Sequence, residues 1–500
     1  MGVEREVKLA ADGAFELPDL AGVVEGAAAV ALPEEKLDAS YHDTADLRLA
    51  RWGVTVRFRR EGRAGAWWTV KLPDDATLRD GLARDELAFP GGPGAMPPDA
   101  LRLLTAYVRG ASLAPVARLV TRRRRTQLVD AAGAAIAEVD DDVVAVMDGR
   151  HVVARFREIE IEALAPGGDR VLGPVRDALV RAGARPTVPV PKVIRALGAR
   201  AADAPEVAAV EVGHWATAGQ VVRAAIGSGV TRMLRHDPGV RLGEDPEAVH
   251  QARVGTRRLR SDLRTFRRLL EAEWVGPTRE ALGWVAGALG AVRDDDVLLE
   301  RLRGQVLVLP AADRNAARAL LRRLETQRAL HREELLAVLD SPRYTAFLDR
   351  LVGAAAAPPL TGAAAAPALE VLPDLVRRPW RHLARAVDRL PEDPEPEALH
   401  RVRVRAKRSR YAAESAEAVM GKPARRLAAA VADVQAVLGD LNDAVVAEAW
   451  LRQAAHGSAA QALVAGQLVA LQREEVAAAR AAWPAAWAAA SRKKLRSWLT

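Results

Sequence analysis

Cysteine is absent from the 500-residue chain. Disulfides and thiolate metal sites are excluded, and a reducing, cytoplasmic location is the expectation. No run of about 18 apolar residues occurs, which argues against a membrane span. The start, Met1-Gly2-Val3-Glu4-Arg5-Glu6, lacks the basic-then-apolar order of a secretory signal. Aromatic residues make up only 4% of the chain. Few of the tryptophans interleave with its basic stripes, and Trp274, Trp284 and Trp380 fall where helix packing would want them. Single-stranded nucleic acid needs aromatics beside cations, so it ranks second among polyanionic partners.

What is present fits a globular protein of more than one domain. Half the residues are hydrophobic and 28% are charged, and 500 residues exceed what one core supports. The net charge of +8 points to a polyanionic partner without naming it. Up to about residue 200 the pattern is short and alternating. Segments such as Val54 to Arg60, Trp67 to Leu72, Arg84 to Phe89, Val120 to Leu128, Ala135 to Val139 and Val152 to Leu164 read as strands between Gly, Pro and Asp clusters. Seven or more such strands predict an antiparallel sheet that curls or closes, with helices near Pro98 to Gly110 and Pro174 to Ala182. From about 214 the period becomes helical. The expected layout is a domain over 1–200, a linker over 201–213 and an all-α domain over 214–497. A break rich in Ala and Pro at 353–367 divides the latter into subdomains of about 214–352 and 368–497.

Charges of both signs recur at period two in the first domain, so each set shares one strand face. Glu4, Glu6 and Lys8 form one set, Arg57 and Arg59 another, followed by Lys71, by Arg84 with Glu86, and by Arg123 with Arg125. Glu158, Glu160 and Glu162 alternate with Phe156, Ile159 and Ile161. A solvated sheet face is the ordinary explanation for one strand. Full charges of both signs on every strand instead suit a polar lumen, in which carboxylates hold Mg²⁺ or Mn²⁺ and cations neutralise phosphoryl oxygens.

The Glu4-x-Glu6-x-Lys8 motif, the basic strand pairs and the late Glu-x-Glu strand resemble the CYTH superfamily of triphosphate tunnel metalloenzymes over residues 1 to 200. The resemblance implies an eight-stranded antiparallel tunnel with flanking helices and a hydrolase of the inorganic triphosphatase type, acting on tripolyphosphate. Catalysis would fall to Glu4, Glu6 and Lys8. Metal would be held by Glu4, Glu6, Glu160 and Glu162, with Glu158 assisting, and by an Asp from Asp140-Asp141-Asp142. Parity with Glu138 selects Asp140 or Asp142, while the family's strand-end pattern selects Asp141. Lys8, Arg57, Arg59, Lys71, Arg84, Arg123 and Lys192 would grip phosphate. A nucleoside or thiamine triphosphatase would need a base pocket that the sequence does not display.

The helical half repeats itself. Val249-His250-Gln251-Ala252-Arg253 onward matches Leu399-His400-Arg401-Val402-Arg403 onward, and Leu289 to Asp294 matches Leu438 to Asp443 at nearly the same offset. At 100° per residue, His250, Arg253, Arg257, Arg260 and Arg264 fall within a stripe about 80° wide. His400, Arg403, Lys407 and Arg410 repeat it, with Leu259, Leu263 and Leu270 on a more apolar face. Acidic residues at i±4 look scarce: Asp262 lies off the stripe and Glu414 comes late. Stacked like charges then call for an external polyanion. These motifs resemble the CHAD domain, a histidine-containing helical module often fused to CYTH. The resemblance implies two four-helix bundles related by pseudo-symmetry around a basic groove for inorganic polyphosphate. The competing reading is a non-enzymatic polyphosphate scaffold whose tunnel merely binds.

Overall fold

The computed structural model describes residues 6–61, 65–73, 84–165, 169–187 and 190–499. The chain forms two compact units, Met1–Glu206 and Val207–Thr500.

The first unit is built on one antiparallel sheet. Its strands are β1 (Glu6–Ala11), β2 (Ala28–Ala31), β3 (Glu35–Asp43), β4 (Thr55–Glu61), β5 (Gly65–Pro73), β6 (Arg84–Pro90), β7 (Ala114–Val129), β8 (Ala135–Asp148), β9 (His151–Ala163) and β10 (Arg185–Pro186). The order is β10-β1-β9-β8-β7-β3-β4-β5-β6, with β2 paired to β7. Eight of these strands are six residues or longer. All eight line one cavity of about 270 Å³, so the sheet curls into a tunnel wall. Among the described residues no ladder joins β6 to β1 or β10.

Alternation decides which face of the wall is which. On β9, Ile159 and Ile161 are fully buried on the outer side, with Leu9, Val139, Val175 and Leu179. Val175 and Leu179 come from helix α4 (Asp169–Arg181), after α1 (Arg48–Arg51), α2 (Pro98–Leu103) and α3 (Thr105–Val108). Burying each such Ile stabilises the fold by about 1.5–3 kcal/mol, which offsets the cost of charges on the inner face. On β4 the same alternation sends Val56 and Phe58 into the core while Arg57 and Arg59 line the cavity. Helix α5 (Lys192–Leu197) follows, bringing Lys192 to the cavity.

Strand β3 is absent from the sequence expectations, because its apolar positions, Leu37, Ala39 and Tyr41, alternate weakly with charged ones. Strand β8 runs well past the expected Val139, through all three aspartates to Asp148. A lone Asp disfavours a strand, yet here Asp140 to Asp142 pair with Arg125 to Arg123 across the ladder.

In the second unit, α6 (Ala218–Leu242), α7 (Pro246–Thr265), α8 (Ala272–Val306) and α9 (Arg314–Leu339) form the first bundle. After α10 (Pro342–Ala356), the second bundle comprises α11 (Ala368–Val387), α12 (Pro396–Ser415), the short α13 (Glu417–Met420), α14 (Lys422–Ala454) and α15 (Ala459–Ala490). Both α7 and α12 carry Pro at their first turn, where a missing N–H costs nothing. Asp245 caps α7 by accepting from the Glu247 amide at 2.8 Å. Leu259 and Leu263 are buried on its apolar face. Gly229 lets α6 close on α7: a Cβ there would lie 2.4 Å from Leu259.

The bundles share one apolar cluster at their far end, where Leu299 and Leu302 of α8 and Leu320 of α9 meet Leu451 of α14 and Leu468 of α15. The Ala- and Pro-rich segment between them is pinned rather than loose. The Glu271 amide donates to Pro359, Thr361 to Leu269, and Ala218 to Ala366. Among the described residues no helix is long and apolar enough to cross a membrane.

Candidate functional site

The tunnel cavity gathers most of the charged residues that the alternation singled out. Glu6 and Lys8 enter from β1, Arg57 and Arg59 from β4, Lys71 from β5, Arg123 from β7, Asp140 and Asp142 from β8, Glu160 and Glu162 from β9, and Lys192 from α5. Register brings them level: Lys8 lies opposite Glu160, and Glu160 opposite Asp140. Glu4 lies outside the described residues. Arg84 heads β6 opposite Pro73 in the ladder. Of the three aspartates, Asp141 points away from the cavity into a paired contact with Arg157, at 2.7 and 2.8 Å. Period two thus separates it from Asp140 and Asp142.

Lys8, Arg57, Lys71, Arg123 and Lys192 are each held by carboxylates. Arg123 donates to Asp142 at 2.8 and 2.7 Å and to Glu160 at 3.2 Å, and it also contacts Asp140. Lys192 lies 2.9 Å from Asp142, 2.9 Å from Glu158 and 2.7 Å from Glu160. Lys8 lies 2.5 Å from Glu160 and 3.3 Å from Glu6. On the opposite wall Glu86 bridges Arg57 at 3.0 Å and Lys71 at 2.6 Å. Glu86 was visible in the alternation with Arg84 but is absent from the expected site. Tyr41, also in the lumen, comes from the strand that the sequence reading missed.

This mutual pairing sets the protonation states. Burial opposes the charge on Lys192, yet Glu160, Asp142 and Glu158 outweigh it and hold its pKa well above the usual lysine value. Burial likewise opposes the charge on Glu160, but Lys192, Lys8 and Arg123 keep it well below the usual carboxylate range. Asp140 differs. Burial, reinforced by Asp142, Glu138 and Glu160 against the pull of Arg123, pushes its carboxyl up to about 8. Its Oδ1 is buried without a hydrogen-bond partner. The carboxylates of Glu6, Asp140, Asp142, Glu160 and Glu162 are the hard oxygen donors that Mg²⁺ or Mn²⁺ takes, and the orphaned Asp140 oxygen fits such a ligand. Among the described residues the carboxylates are engaged by cations, and no three of them stand at metal-holding geometry.

The helical unit holds a second cavity, of about 440 Å³, between α7, α8, α12 and α14. His250, Arg253 and Arg257 line it from one bundle, and His400, Arg403 and Lys407 from the other. Arg293, Arg301 and Asn442, which the repeat did not single out as ligands, line it too. Arg253 is pinned by Asp294 at 2.6 Å, whereas its counterpart Arg403 stands 3.9 Å from Asp443. His400 Nδ1 contacts Asn442 at 2.5 Å. Burial, then Arg403, Arg257 and Arg253, push the Lys407 amine down to about 7. Burial and Arg293 lower His250 as well.

Arg260, Arg264 and Arg410 do not line this cavity. They continue the stripe on the turns beyond it, and Arg410 is engaged by Glu414 at 2.6 Å. The apparent scarcity of i±4 acids also needs correction, since Arg258 reaches Asp262 at 3.3 Å and also contacts Glu414. Trp380 is buried and stacks on Trp487, in keeping with a packing role.

The family matches to known proteins fall separately in the two units. The CYTH domain family matches residues 2–181, and the CHAD domain family matches residues 224–452. Uncharacterized protein Rv2226 of Mycobacterium tuberculosis is 33% identical over 461 residues, covering 86% of this chain and 85% of the relative. Uncharacterized protein MT2285, from a second strain, matches to the same extent. PptA from Streptomyces chartreusis is 30% identical, covering 55% of this chain and all of that one, with a TM-score of 0.47. The CHAD domain from the plant Ricinus communis is 27% identical, covering 57% of this chain and 95% of that one, with a TM-score of 0.48. The chain therefore belongs to the family of proteins that join a CYTH domain to a CHAD domain. CYTH domains include triphosphatases and adenylate cyclases and are generally dependent on Mg²⁺ or Mn²⁺, and CHAD domains are linked to polyphosphate.

Proposed function

We propose that the protein is a metal-dependent inorganic triphosphatase whose helical unit binds long-chain inorganic polyphosphate. The carrying observation is the single lumen in which Lys8, Arg57, Arg59, Lys71, Arg123 and Lys192 face the carboxylates of Glu6, Asp140, Asp142, Glu160 and Glu162. Six cations suit the repeated oxygens of a short phosphate chain, and among the described residues lining them Tyr41 is the one aromatic side chain.

The lumen residues hold one another before substrate arrives. A triphosphate that takes Arg123, Lys192 and Lys8 frees Asp142, Glu160 and Asp140, which would then hold a divalent cation together with Glu6 and Glu162. When bound, that cation would supply charge neutralisation on the phosphoryl oxygens and orient a water for attack. Arg123, Lys192 and Lys8 stabilise charge as it develops on equatorial and leaving oxygens, and their buried setting strengthens that interaction. Arg57, Arg59 and Lys71 on the opposite wall fix the far end of the chain.

Phosphate release from tripolyphosphate, ATP and thiamine triphosphate, with Mg²⁺, Mn²⁺ or EDTA, tests the reading. Metal-dependent turnover of tripolyphosphate in preference to the other two is expected. Preference for ATP would make the tunnel a nucleotide site, and absence of turnover with intact polyphosphate binding would make the protein a scaffold.

A further inference from the structure

The two bundles are not equivalent where their basic helices meet. Helices α7 and α12 are both 20 residues long and align at a constant offset, His250 with His400, Arg258 with Arg408, Ser261 with Tyr411, and Arg264 with Glu414. In one contact Arg258 of α7 meets Glu414 of α12. Its symmetry mate sets Arg408 of α12 beside Arg264 of α7, and the charged neighbours acting on Arg264 are Arg408, Arg279 and Arg260. One replacement, Glu by Arg, therefore turns a neutralised flank into a repulsive one.

Every neighbouring residue reinforces the difference. On the Glu414 side, Arg410 and Arg258 are both engaged by that carboxylate, and Arg258 also by Asp262 and Ser415. Tyr411 is buried there, with the guanidinium groups of Arg257, Arg258 and Arg410 within 6 Å of its ring. On the other side the small Ser261 stands in the place of Tyr411. Among the described residues Arg260, Arg264, Arg279, Arg405 and Arg408 have no carboxylate at ion-pair distance, and the buried Arg279 Nε has no hydrogen-bond partner. Burial and its arginine neighbours push Arg264 down to about 10, far below ordinary arginine. Clustered like charge without a counterion is a cost that an external polyanion removes. Arg260 and Arg264 lie on the next turns of the stripe whose earlier members, Arg253 and Arg257, line the cavity.

Resting on the polyphosphate reading of the helical unit, we infer that a long polyphosphate chain leaves the central cavity over one flank only. Arg260, Arg264, Arg279, Arg405 and Arg408 form its extension site, and the pseudo-equivalent flank is closed by Glu414 and Tyr411. Short chains fill the cavity without reaching the extension; long chains occupy both. Affinity then grows with chain length in one direction along the helix pair.

Binding of tripolyphosphate and of long-chain polyphosphate to the full chain, over a range of salt concentrations, is the test. Arg264→Glu, and separately Arg408→Gln, should weaken long-chain binding by about tenfold and reduce the slope of log K against log salt by roughly one per lost contact. Helical ellipticity and the urea midpoint should be unchanged, which certifies folding, and tripolyphosphate bound beyond the one equivalent that the tunnel takes should change less than about twofold. Glu414→Arg should open the second flank and steepen the long-chain slope. Unchanged long-chain affinity and slope in both flank variants would overturn the extension and leave the cavity reading standing. Failure of the wild-type chain to bind long-chain polyphosphate would remove the cavity reading itself. Equal displacement by single-stranded RNA at matched phosphate concentration would overturn polyphosphate as the ligand of this flank.

Discussion

The tunnel and the helical groove use the same side chains to opposite electrostatic effect. In the tunnel, carboxylates hold Lys8, Lys192 and Arg123 above their ordinary pKa values. In the groove, burial and neighbouring cations push Lys407, Arg403 and Arg264 below theirs. A compensated lumen is preorganised, and it must exchange internal ion pairs for substrate and cation together. A groove whose cations outnumber its carboxylates is a standing demand for anion, graded by charge rather than by shape. Basic composition alone does not distinguish these two designs; the placement of glutamate and aspartate does.

The largest expected effect falls on the tunnel. Glu160→Gln removes the carboxylate shared by Lys8, Lys192 and Arg123. Tripolyphosphate turnover should fall by about 10²–10³, with long-chain polyphosphate binding unaltered. Steady-state phosphate release and filter binding on the same sample would show whether the sites separate.

The next effect confines damage to the helical unit. Gly229→Ala forces a methyl group against Leu259, where the ideal Cβ would lie 2.4 Å away. Overpacking should cost about 1–3 kcal/mol, exceeding the roughly 1 kcal/mol that alanine gains over glycine in a helix. A lower urea midpoint for the helical ellipticity, with tripolyphosphate turnover retained, is the expected outcome.

The smallest effect is a pH slope in the groove. Lys407, near 7 in the free groove, gains its proton more readily when a polyanion binds beside it. Affinity should therefore be highest below about pH 7 and fall as pH rises through 7, until the raised pKa of the bound state is passed. His250 is lowered and titrates below that window. Lys407→Arg stays charged and should flatten the profile, as isothermal titration across pH would reveal.

Much of this contrast was legible in residue spacing. Period two placed Glu6, Arg57, Arg123, Glu160 and Glu162 on inner faces; among the aspartates parity pointed to Asp140 or Asp142 while the family pattern left Asp141 open, and the folded strand turns Asp141 outward to Arg157. The duplicated His-x-x-Arg motif located the groove. The partners were less visible, because they are non-local. Glu86 joins Arg57 and Lys71 only when β4, β5 and β6 pair, and Arg293, Arg301 and Asn442 reach the groove from helices remote in sequence. Arg410 illustrates the opposite error. The helical stripe includes it correctly, but the stripe outruns the cavity, and Glu414 takes the side chain one turn later.

The separation of the two sites is tested most directly by reversing charge in the groove with Arg257→Glu and Arg403→Glu together, then measuring tripolyphosphate turnover and long-chain polyphosphate retention in one preparation. Retention should be lost while metal-dependent turnover stays within about twofold of wild type. Loss of both together, in a chain whose ellipticity and urea midpoint are unchanged, would mean that the tunnel and the groove do not act as separate sites.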